Sequence, residues 1–359
     1  AVAHEWITQR AGSEKTFEQL AAVLPHAELY ALTHTDGVEI ETGGRPIQTS
    51  SLDRNPLLKN RRALALPFMP AAWRNISRDH YDLVVTSSHA CAKGFRPGRD
   101  ALHLSYVHAP MRYAWDREID GRIGGSIDPL APARSVLRHW DKGSTKWVDS
   151  FAANSTAVAD RIKRYYGREA RVIAPPVDVD YFSAASETER GHLLAFSRFI
   201  PYKRIDLAVQ VAADLGEPLV IAGSGPMEKE LRGLADEIAP GLVTFVISPS
   251  QAELRTLYAG ARALIFPAYE DFGIIPIEAQ AAGCPVVGLA RGGSVDTVAD
   301  GSTGLLVEDQ TLEAFSAGTA ALLEDPIDAD RCRDHAAGFS SQRFRSEIGN
   351  WINDVLTDA

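Results

Sequence analysis

The sequence predicts an α/β fold of two domains, each a parallel sheet with helices on both faces. Three observations predict it. Apolar, β-rich runs alternate with segments of helical period along the whole chain, so successive strands are joined by crossovers of helical length and lie parallel. The 359 residues exceed what one core of roughly 100–200 residues holds. A break near 173–190, IAPPVDVDYFSAASETERG, combines two prolines with a loss of periodicity and a polar stretch, as a linker does.

The elements follow in order. AVAHEW opens the chain as a strand and SEKTFEQLAAVL follows as its helix, so the first residues read as structure and no signal peptide is expected. YDLVVTSS and ALHLSYVHAP are the next strands of the first half. After the break, HLLAFSR, PLVIAG, LVTFVIS, ALIFPAY and PVVGLA are strands of the second. In SEIGNWINDVL, Ile348, Trp351, Ile352 and Val355 recur at helical spacing, which makes a terminal helix in need of an apolar partner.

Composition narrows the class. With 45% apolar and 23% charged residues the chain is an ordinary globular protein. No run reaches the ~18 uncharged apolar residues of a membrane span. Cys91, Cys284 and Cys332 stand far apart with no CxxC, which argues against a zinc site or a disulfide framework and for a reducing, cytoplasmic setting. The net charge of −10 is uneven: residues 1–180 carry 24 Lys and Arg against 21 Asp and Glu, whereas 181–359 carry 13 against 26. An acidic whole argues against general nucleic-acid binding. The basic excess concentrates between Asp53 and Asp79, where Arg54, Lys59, Arg61, Arg62, Arg74 and Arg78 alternate with Leu57, Leu58, Leu64, Leu66, Phe68, Met69 and Trp73. The segment 54–78 reads either as a surface helix packed on the core or as a basic amphipathic face resting on anionic lipid, at the inner face of a membrane.

The chemistry concentrates in Pro267-Ala-Tyr-Glu-Asp-Phe-Gly-Ile-Ile-Pro-Ile-Glu-Ala-Gln-Ala-Ala-Gly-Cys-Pro285. Pro276 suits the first position of a helix and Gly283 before Pro285 stops it, so a helix is expected over about 276–282. Gly273 lets the backbone turn tightly before it, leaving the N–H groups of Ile274 and Ile275 to hold an anion at the positive end. Glu278 falls in the first turn, on the side of Glu270. Eight helical steps between these two carboxylates would span ~12 Å, beyond the ~5–9.5 Å of a glycosidase pair. Hydroxyl-rich sugar nucleotides use acceptor oxygens at two places, the sugar and the ribose, and suit the pair better. In Phe196-Ser-Arg-Phe-Ile-Pro-Tyr-Lys-Arg-Ile, Arg198 and Lys203 lie five residues apart in and just after a loop that follows a strand, and read either as surface ion-pair partners or as a guanidinium fork and a point charge fit for a diphosphate.

Together these motifs resemble retaining glycosyltransferases of family 4, and the resemblance covers essentially the whole chain. SRFIPYKRID, IAGSGP, AYEDFGIIPIEAQAAGCPVV, ARGGSVDTV and DGSTGLLV carry it in the second half. HEWITQRAGSEKTFEQL, YDLVVTSSHACAKG and YVHAPMRYAWD in the first half resemble the O-antigen-type mannosyltransferase branch, which uses GDP-mannose. The resemblance implies the GT-B fold, two Rossmann-like domains with parallel sheets facing across a cleft. It implies an acceptor-binding domain over 1–175, with the helix 345–359 packing back on it, and a nucleotide-sugar-binding domain over 186–344. It further implies that Arg198 and Lys203 bind the diphosphate, that Glu270 contacts the donor sugar, and that Glu278 holds the ribose. Phe272, Gly273, Ile274 and Ile275 would form the phosphate loop, with the amides of the two isoleucines on the distal phosphate. Gly12 would line the diphosphate from the first domain, His108 would sit beside the transferred sugar, and Gly223 and Gly225 would lie near the nucleotide. The chain departs from the family where Phe-Leu-Gly is usual: Phe245-Val246-Ile247-Ser248 stands there, and this segment borders the base.

Other motifs are weaker. Gly223-Ser-Gly-Pro lacks the third glycine of a dinucleotide fingerprint, because Glu228 occupies its place. Asp178-Val-Asp180 imitates a DxD metal motif inside the linker, and no metal is expected. Ser87-Ser88-His89 either lines an acceptor site or ends its strand with polar groups. The expected activity is therefore metal-independent transfer of a hexose, mannose from GDP-mannose, to a hydroxyl of a glycan or lipid-linked acceptor, as in cell-surface polysaccharide synthesis. No cofactor is expected beyond the nucleotide-sugar substrate. The alternatives are glucosyl or N-acetylglucosaminyl transfer from a UDP-sugar, an epimerase or phosphorylase on the same fold, and a non-catalytic sugar-nucleotide-binding protein.

Overall fold

The computed structural model describes residues 1–76, 81–96, 98, 100–116, 131–185 and 188–358. The chain divides into two compact units, Ala1–Pro176 with Ser341–Ala359, and Val177–Ser340. The break that reads as a linker contains a helix, Val179–Ser183, and it buries Val179 and Phe182 in the second unit.

In the N-terminal unit, β1 (Val2–Ile7), β2 (Leu29–His34), β3 (Ile47–Thr49), β4 (Leu83–Ser88), β5 (Leu102–Val107), β6 (Ser150–Ala153) and β7 (Arg171–Val172) form one sheet in the order β3-β2-β1-β4-β5-β6-β7. In the C-terminal unit, β8 (His192–Arg198), β9 (Leu219–Ser224), β10 (Val243–Ile247), β11 (Ala261–Phe266), β12 (Val286–Leu289) and β13 (Gly304–Val307) form the other, in the order β10-β9-β8-β11-β12-β13. Every ladder between these strands is parallel. Both sheets reverse direction of build beside their first strand, and in such sheets ligands collect beyond the carboxyl ends of the strands. The architecture is α/β with two Rossmann-like domains.

The terminal helix runs over Ser341–Asp358, starting five residues before the stretch SEIGNWINDVL that shows the apolar spacing. Its Phe344, Ile348, Trp351 and Ile352 are buried with Phe17, Leu20 and Ala21 of the helix Gly12–Val23 and with Val2, Val85 and Tyr106 of the sheet. The chain returns to the first unit, where this apolar stripe is buried.

The basic segment is not one helix. It breaks into Pro56–Asn60, Arg62–Ala65, a 3-10 turn Leu66–Phe68 and Met69–Ile76. Asn55 caps the first piece, accepting from the amides of Leu57 and Leu58. Pro67 and Pro70 interrupt the ladder behind it. Ala65, Met69, Ala72 and Trp73 enter the core, whereas Leu57, Leu64 and Phe68 are 56%, 47% and 55% exposed. Arg54, Arg61 and Arg74 are exposed as well. Lys59 is held by Asp36 and Asp53, so it adds no net charge to this face. Arg78 lies outside the described residues.

Candidate active site

In the C-terminal unit the strand β8 ends on Arg198, whose side chain is exposed. Phe199 then turns fully into the core, which drives the following Pro201–Lys203 into a 3-10 turn back over the strand end. Arg204 closes the turn in the left-handed region at φ 52°, an uncommon conformation for a side chain of this size. Its guanidinium is bonded to Asp206 and Gln310, which hold the strain. The result is that Lys203 is buried, 6% exposed, and meets the Glu270 carboxylate directly. Arg198 Nη2 donates to the Tyr202 hydroxyl at 3.3 Å, and the Lys203 ammonium stands 5.1 Å from the Tyr202 ring. Arg198, Lys203 and Glu270 are thus joined through one turn.

The glycines nearby serve close approach. A Cβ on Gly223 would stand 1.9 Å from the Ser197 carbonyl oxygen, and one on Gly225 would stand 2.6 Å from that of Phe199. Only glycine lets the loop after β9 lie against the strand end that presents Arg198.

Beyond Glu270 the helix runs over Ile274–Ala281, two residues earlier than the proline position suggests. Pro276 is its third residue rather than its first. It is tolerated there because the first four amides of a helix have no intrahelical acceptor. Gly273, at φ 89°, is the N-cap, and no side chain caps the helix. The amides of Ile274 and Ile275 therefore begin an uncapped, positive helix end four residues after Glu270. Gln280 fixes this end by donating to the carbonyls of Pro276 and Thr297.

Two positions differ from expectation. Glu278 lies in the second turn, not the first, and its Oε2 accepts from the Tyr258 hydroxyl at 3.2 Å. Burial, with the Glu278 charge beside it, raises the Tyr258 pKa well above its usual value, so this phenol stays a donor. Phe272 is 4% exposed, with its ring 6.0 Å from that of Phe339. Its side chain is core, and what the position offers a ligand is backbone.

At the end of β10, Ile247 retains extended strand pairing with Gly223 and is 39% exposed, while Ser248 takes the left-handed conformation at φ 51°. The isoleucine in place of the family's glycine is accommodated because the turn's strain falls one residue later.

In the N-terminal unit Gly12 is the first residue of its helix, behind Ala11, which supplies no side-chain cap. His108 follows the carboxyl end of β5. Its Nε2 lies 2.8 Å from Ser87 Oγ, and the same Oγ lies 3.0 Å from Nδ1 of His4. His4 is completely buried, and burial, with the neighbouring His108 imidazole acting in the same direction, pushes its pKa down to about 3. It is neutral at pH 7. Ser87 thus sits inside a histidine–serine–histidine chain rather than merely ending its strand. Ser88 and the amides of His89, Ala90 and Ala92 donate to the buried carboxylate of Glu5, which folds the loop behind them. The roles of His4 and Glu5 escaped the sequence reading. The available signal was a His-Glu pair inside an otherwise apolar first strand.

Asp178 and Asp180 of the DxD-like motif are exposed at the start of a short helix. Among the described residues no three His, Cys, Asp or Glu side chains are grouped as a metal ion would require, and no helix is long and apolar enough to cross a membrane.

Two Rossmann-like units, with cations and a bare helix start at the strand ends of one of them, define a glycosyltransferase of the GT-B class. Comparison with known proteins supplies the family. Residues 179–338 match the family model described as glycosyl transferases group 1, and residues 11–181 match that of glycosyltransferase family 4. The chain is 32% identical over 301 residues to a D-inositol 3-phosphate glycosyltransferase of Mycobacterium avium, covering 78% of this chain and 68% of that protein. It is 34% identical over 284 residues to the protein of the same name from a Mycobacterium species, strain KMS, covering 73% and 64%. Among solved structures, a sucrose-phosphate synthase of Thermosynechococcus elongatus superposes over the whole of both chains with a TM-score of 0.74 at 20% identity. The Anabaena protein HepE, solved with UDP and glucose, gives 0.67 at 16% identity over 98% of this chain and 99% of that one. The chain belongs to the group 1 glycosyltransferases, family 4.

Proposed function

We propose that this glycosyltransferase is a retaining, metal-independent hexosyltransferase that moves mannose from GDP-mannose to a hydroxyl of a glycan or lipid-linked acceptor. The observation that carries the reading is the Lys203–Glu270 contact, flanked by Arg198 on one side and by the uncapped helix start at Ile274 on the other. In this reading Arg198 and Lys203 take the diphosphate, and the amides of Ile274 and Ile275 take its distal phosphate. Negative charge grows on the leaving diphosphate as the glycosidic bond breaks. Fixed cations and helix amides stabilise such charge without reorganising. Glu270, held by Lys203, accepts from hydroxyls of the sugar, and Glu278 accepts from the ribose. The family resemblance assigns His108 of the N-terminal unit to the transferred sugar. The departing phosphate oxygen takes the acceptor's proton as the acceptor attacks from the same face, which gives retention.

Mannose and guanine rest on the resemblance of the first half of the chain to O-antigen-type enzymes. A second reading, a UDP-sugar donor, is favoured by the solved HepE complex with UDP and by the departure at Ile247. For the acceptor we place the enzyme at the cytoplasmic face of a membrane. The support is the exposure of Leu57, Leu64 and Phe68 beside Arg54, Arg61 and Arg74. Titration calorimetry with GDP-mannose, UDP-glucose and UDP-N-acetylglucosamine tests the donor. Binding of GDP-mannose alone supports the first reading, and binding of a UDP-sugar alone replaces it with the second. Binding of none overturns both.

A further inference from the structure

A cavity of about 260 Å³ opens in the N-terminal unit between the helix Met69–Ile76 and the end of the helix Ala131–Ser144 with the turn Thr145–Trp147 behind it. Its floor is aromatic. Trp140 lies against Gly94, where a Cβ would stand 2.8 Å from the indole, and Trp147 beside it remains 39% exposed. Its rim is cationic, formed by Arg74, Arg96, His139 and Lys146. Among the described residues no carboxylate lines the cavity, and none of these cations is paired with one. The acid nearest in sequence, Asp141, is buried and already held by Lys93.

The Arg96 guanidinium and the Lys146 ammonium each stand 4.6 Å from the centroid of the Trp147 ring. The indole attracts both, but two like charges gathered on one ring repel each other. An anion between them removes the repulsion and gains a fork and a point charge at once. The site is remote from His108. The Trp147 carbonyl accepts from Nδ1 of His103 at 3.0 Å near the start of β5, and His108 lies past the other end of that strand, ~17 Å away at ~3.3 Å per residue.

We propose that this pocket is a second anion site, which seats the headgroup phosphate of an anionic lipid. The aromatic floor takes the carbon-bearing part of the headgroup and the rim takes the phosphate. The source of the phosphate is argued from continuity: Pro70 and Arg74 belong both to the cavity wall and to the segment that exposes Leu57, Leu64 and Phe68. That choice of source rests on the membrane placement proposed above, whereas the anion chemistry does not.

The test compares phosphatidylcholine vesicles carrying phosphatidic acid with vesicles carrying a fatty-acid carboxylate at the same surface charge, by co-sedimentation. The full chain should prefer the phosphate vesicles. Arg96→Gln with Lys146→Gln should abolish the preference, with a loss of about tenfold on phosphate vesicles, the scale of one charge-assisted hydrogen bond. Arg54→Gln with Arg61→Gln, outside the pocket, should weaken both vesicle types alike and keep the preference. All these side chains are exposed, and calorimetric melting checks that each variant is folded. Equal binding of the wild type to both vesicles, or a preference that survives the pocket variant, overturns the proposal. If no vesicle binds but free glycerol 3-phosphate does, and the pocket variant abolishes that, the membrane placement has failed and the site takes a soluble phosphate instead.

Discussion

The ammonium of Lys203 and the carboxylate of Glu270 meet inside the C-terminal unit, with side chains 6% and 21% exposed. Each restrains the other. The lysine has lost most of its water and has the carboxylate as its partner, and the glutamate is held as an acceptor beside it. Two motifs some 70 residues apart in the chain are made into one site by this contact.

Removing the lysine therefore has two separable effects. Lys203→Ala should lower turnover by about 10²–10³-fold, the scale of losing one preorganised stabiliser of transition-state charge. It should also cost stability, up to ~3 kcal/mol, because Glu270 is left as an uncompensated, largely buried charge. The double variant Lys203→Ala with Glu270→Gln should recover most of the stability and none of the turnover. Calorimetric melting and initial rates measure the two effects. A double variant as unstable as the single one would mean that the pair is not coupled.

If cationic side chains and helix amides hold the diphosphate, a divalent ion is not required. Turnover should be unchanged after exhaustive treatment with EDTA. Loss of activity on chelation, restored by Mn²⁺ or Mg²⁺, would contradict the proposed mechanism.

In the chain His4–Ser87–His108 the serine has a single proton to give, so its hydroxyl sets which imidazole nitrogen accepts. An unpaired buried N–H is worse tolerated than an unpaired acceptor, which favours a proton on Nδ1 of His4 and donation from Ser87 to Nε2 of His108. Ser87→Ala should release His108 from this tautomer, visible in the ¹⁵N shifts of its ring, and lower kcat several-fold with donor affinity kept. Ser87→Thr, which retains the hydroxyl, should rescue both readouts. An unchanged tautomer in Ser87→Ala would remove the serine from the argument.

How much of this was legible in advance varies with the kind of interaction. The Glu270–Pro285 stretch was readable because turn glycines, a proline and helix-end amides act locally. Gly273 therefore marked the helix start better than Pro276 did. The strands β2, β3, β6, β7 and β13 were not singled out; of these β3 and β7 have three and two residues at the sheet edges, too short to show any period. His4 and Glu5 escaped for the opposite reason: a buried polar residue is explained only by its partners, and those stand more than 80 residues away. The division of the 54–78 segment followed from Pro67 and Pro70, whose effect on helix continuity outweighed the amphipathic pattern.

Two histidines make the N-terminal unit acid-sensitive. Burial pushes the pKa of His4 down to about 3 and that of His103 down to about 4, against ~6.5 in the unfolded chain. Below pH 6.5 the unfolded state binds protons that the folded state refuses, so stability is full above that pH and falls as pH drops toward 4. Each histidine contributes up to ~1.4 kcal/mol per pH unit within its window. Replacing His103 by Gln should flatten the dependence of melting temperature on pH between 6.5 and 4.5. A slope in that variant equal to the wild type's would show that His103 does not govern it.

The last prediction concerns the face formed by Pro56–Ile76. Burying a large apolar side chain in the lipid interface is worth ~1.5–3 kcal/mol, and a cation near an anionic surface is worth roughly 1 kcal/mol. The two contributions differ in their response to salt, because only the second is screened. Arg61→Gln with Arg74→Gln should weaken binding to anionic vesicles at low salt and matter little at high salt. Leu64→Ser with Phe68→Ser should weaken it at both. Because Leu64 and Phe68 are about half exposed, neither pair should disturb the fold, and donor binding, assigned to the other unit, should be unaffected. Co-sedimentation across a salt series reads the outcome. A chain that ignores anionic vesicles at low salt, or whose binding neither pair of substitutions alters, would leave this face an ordinary protein surface and point to an acceptor that is not held in a membrane.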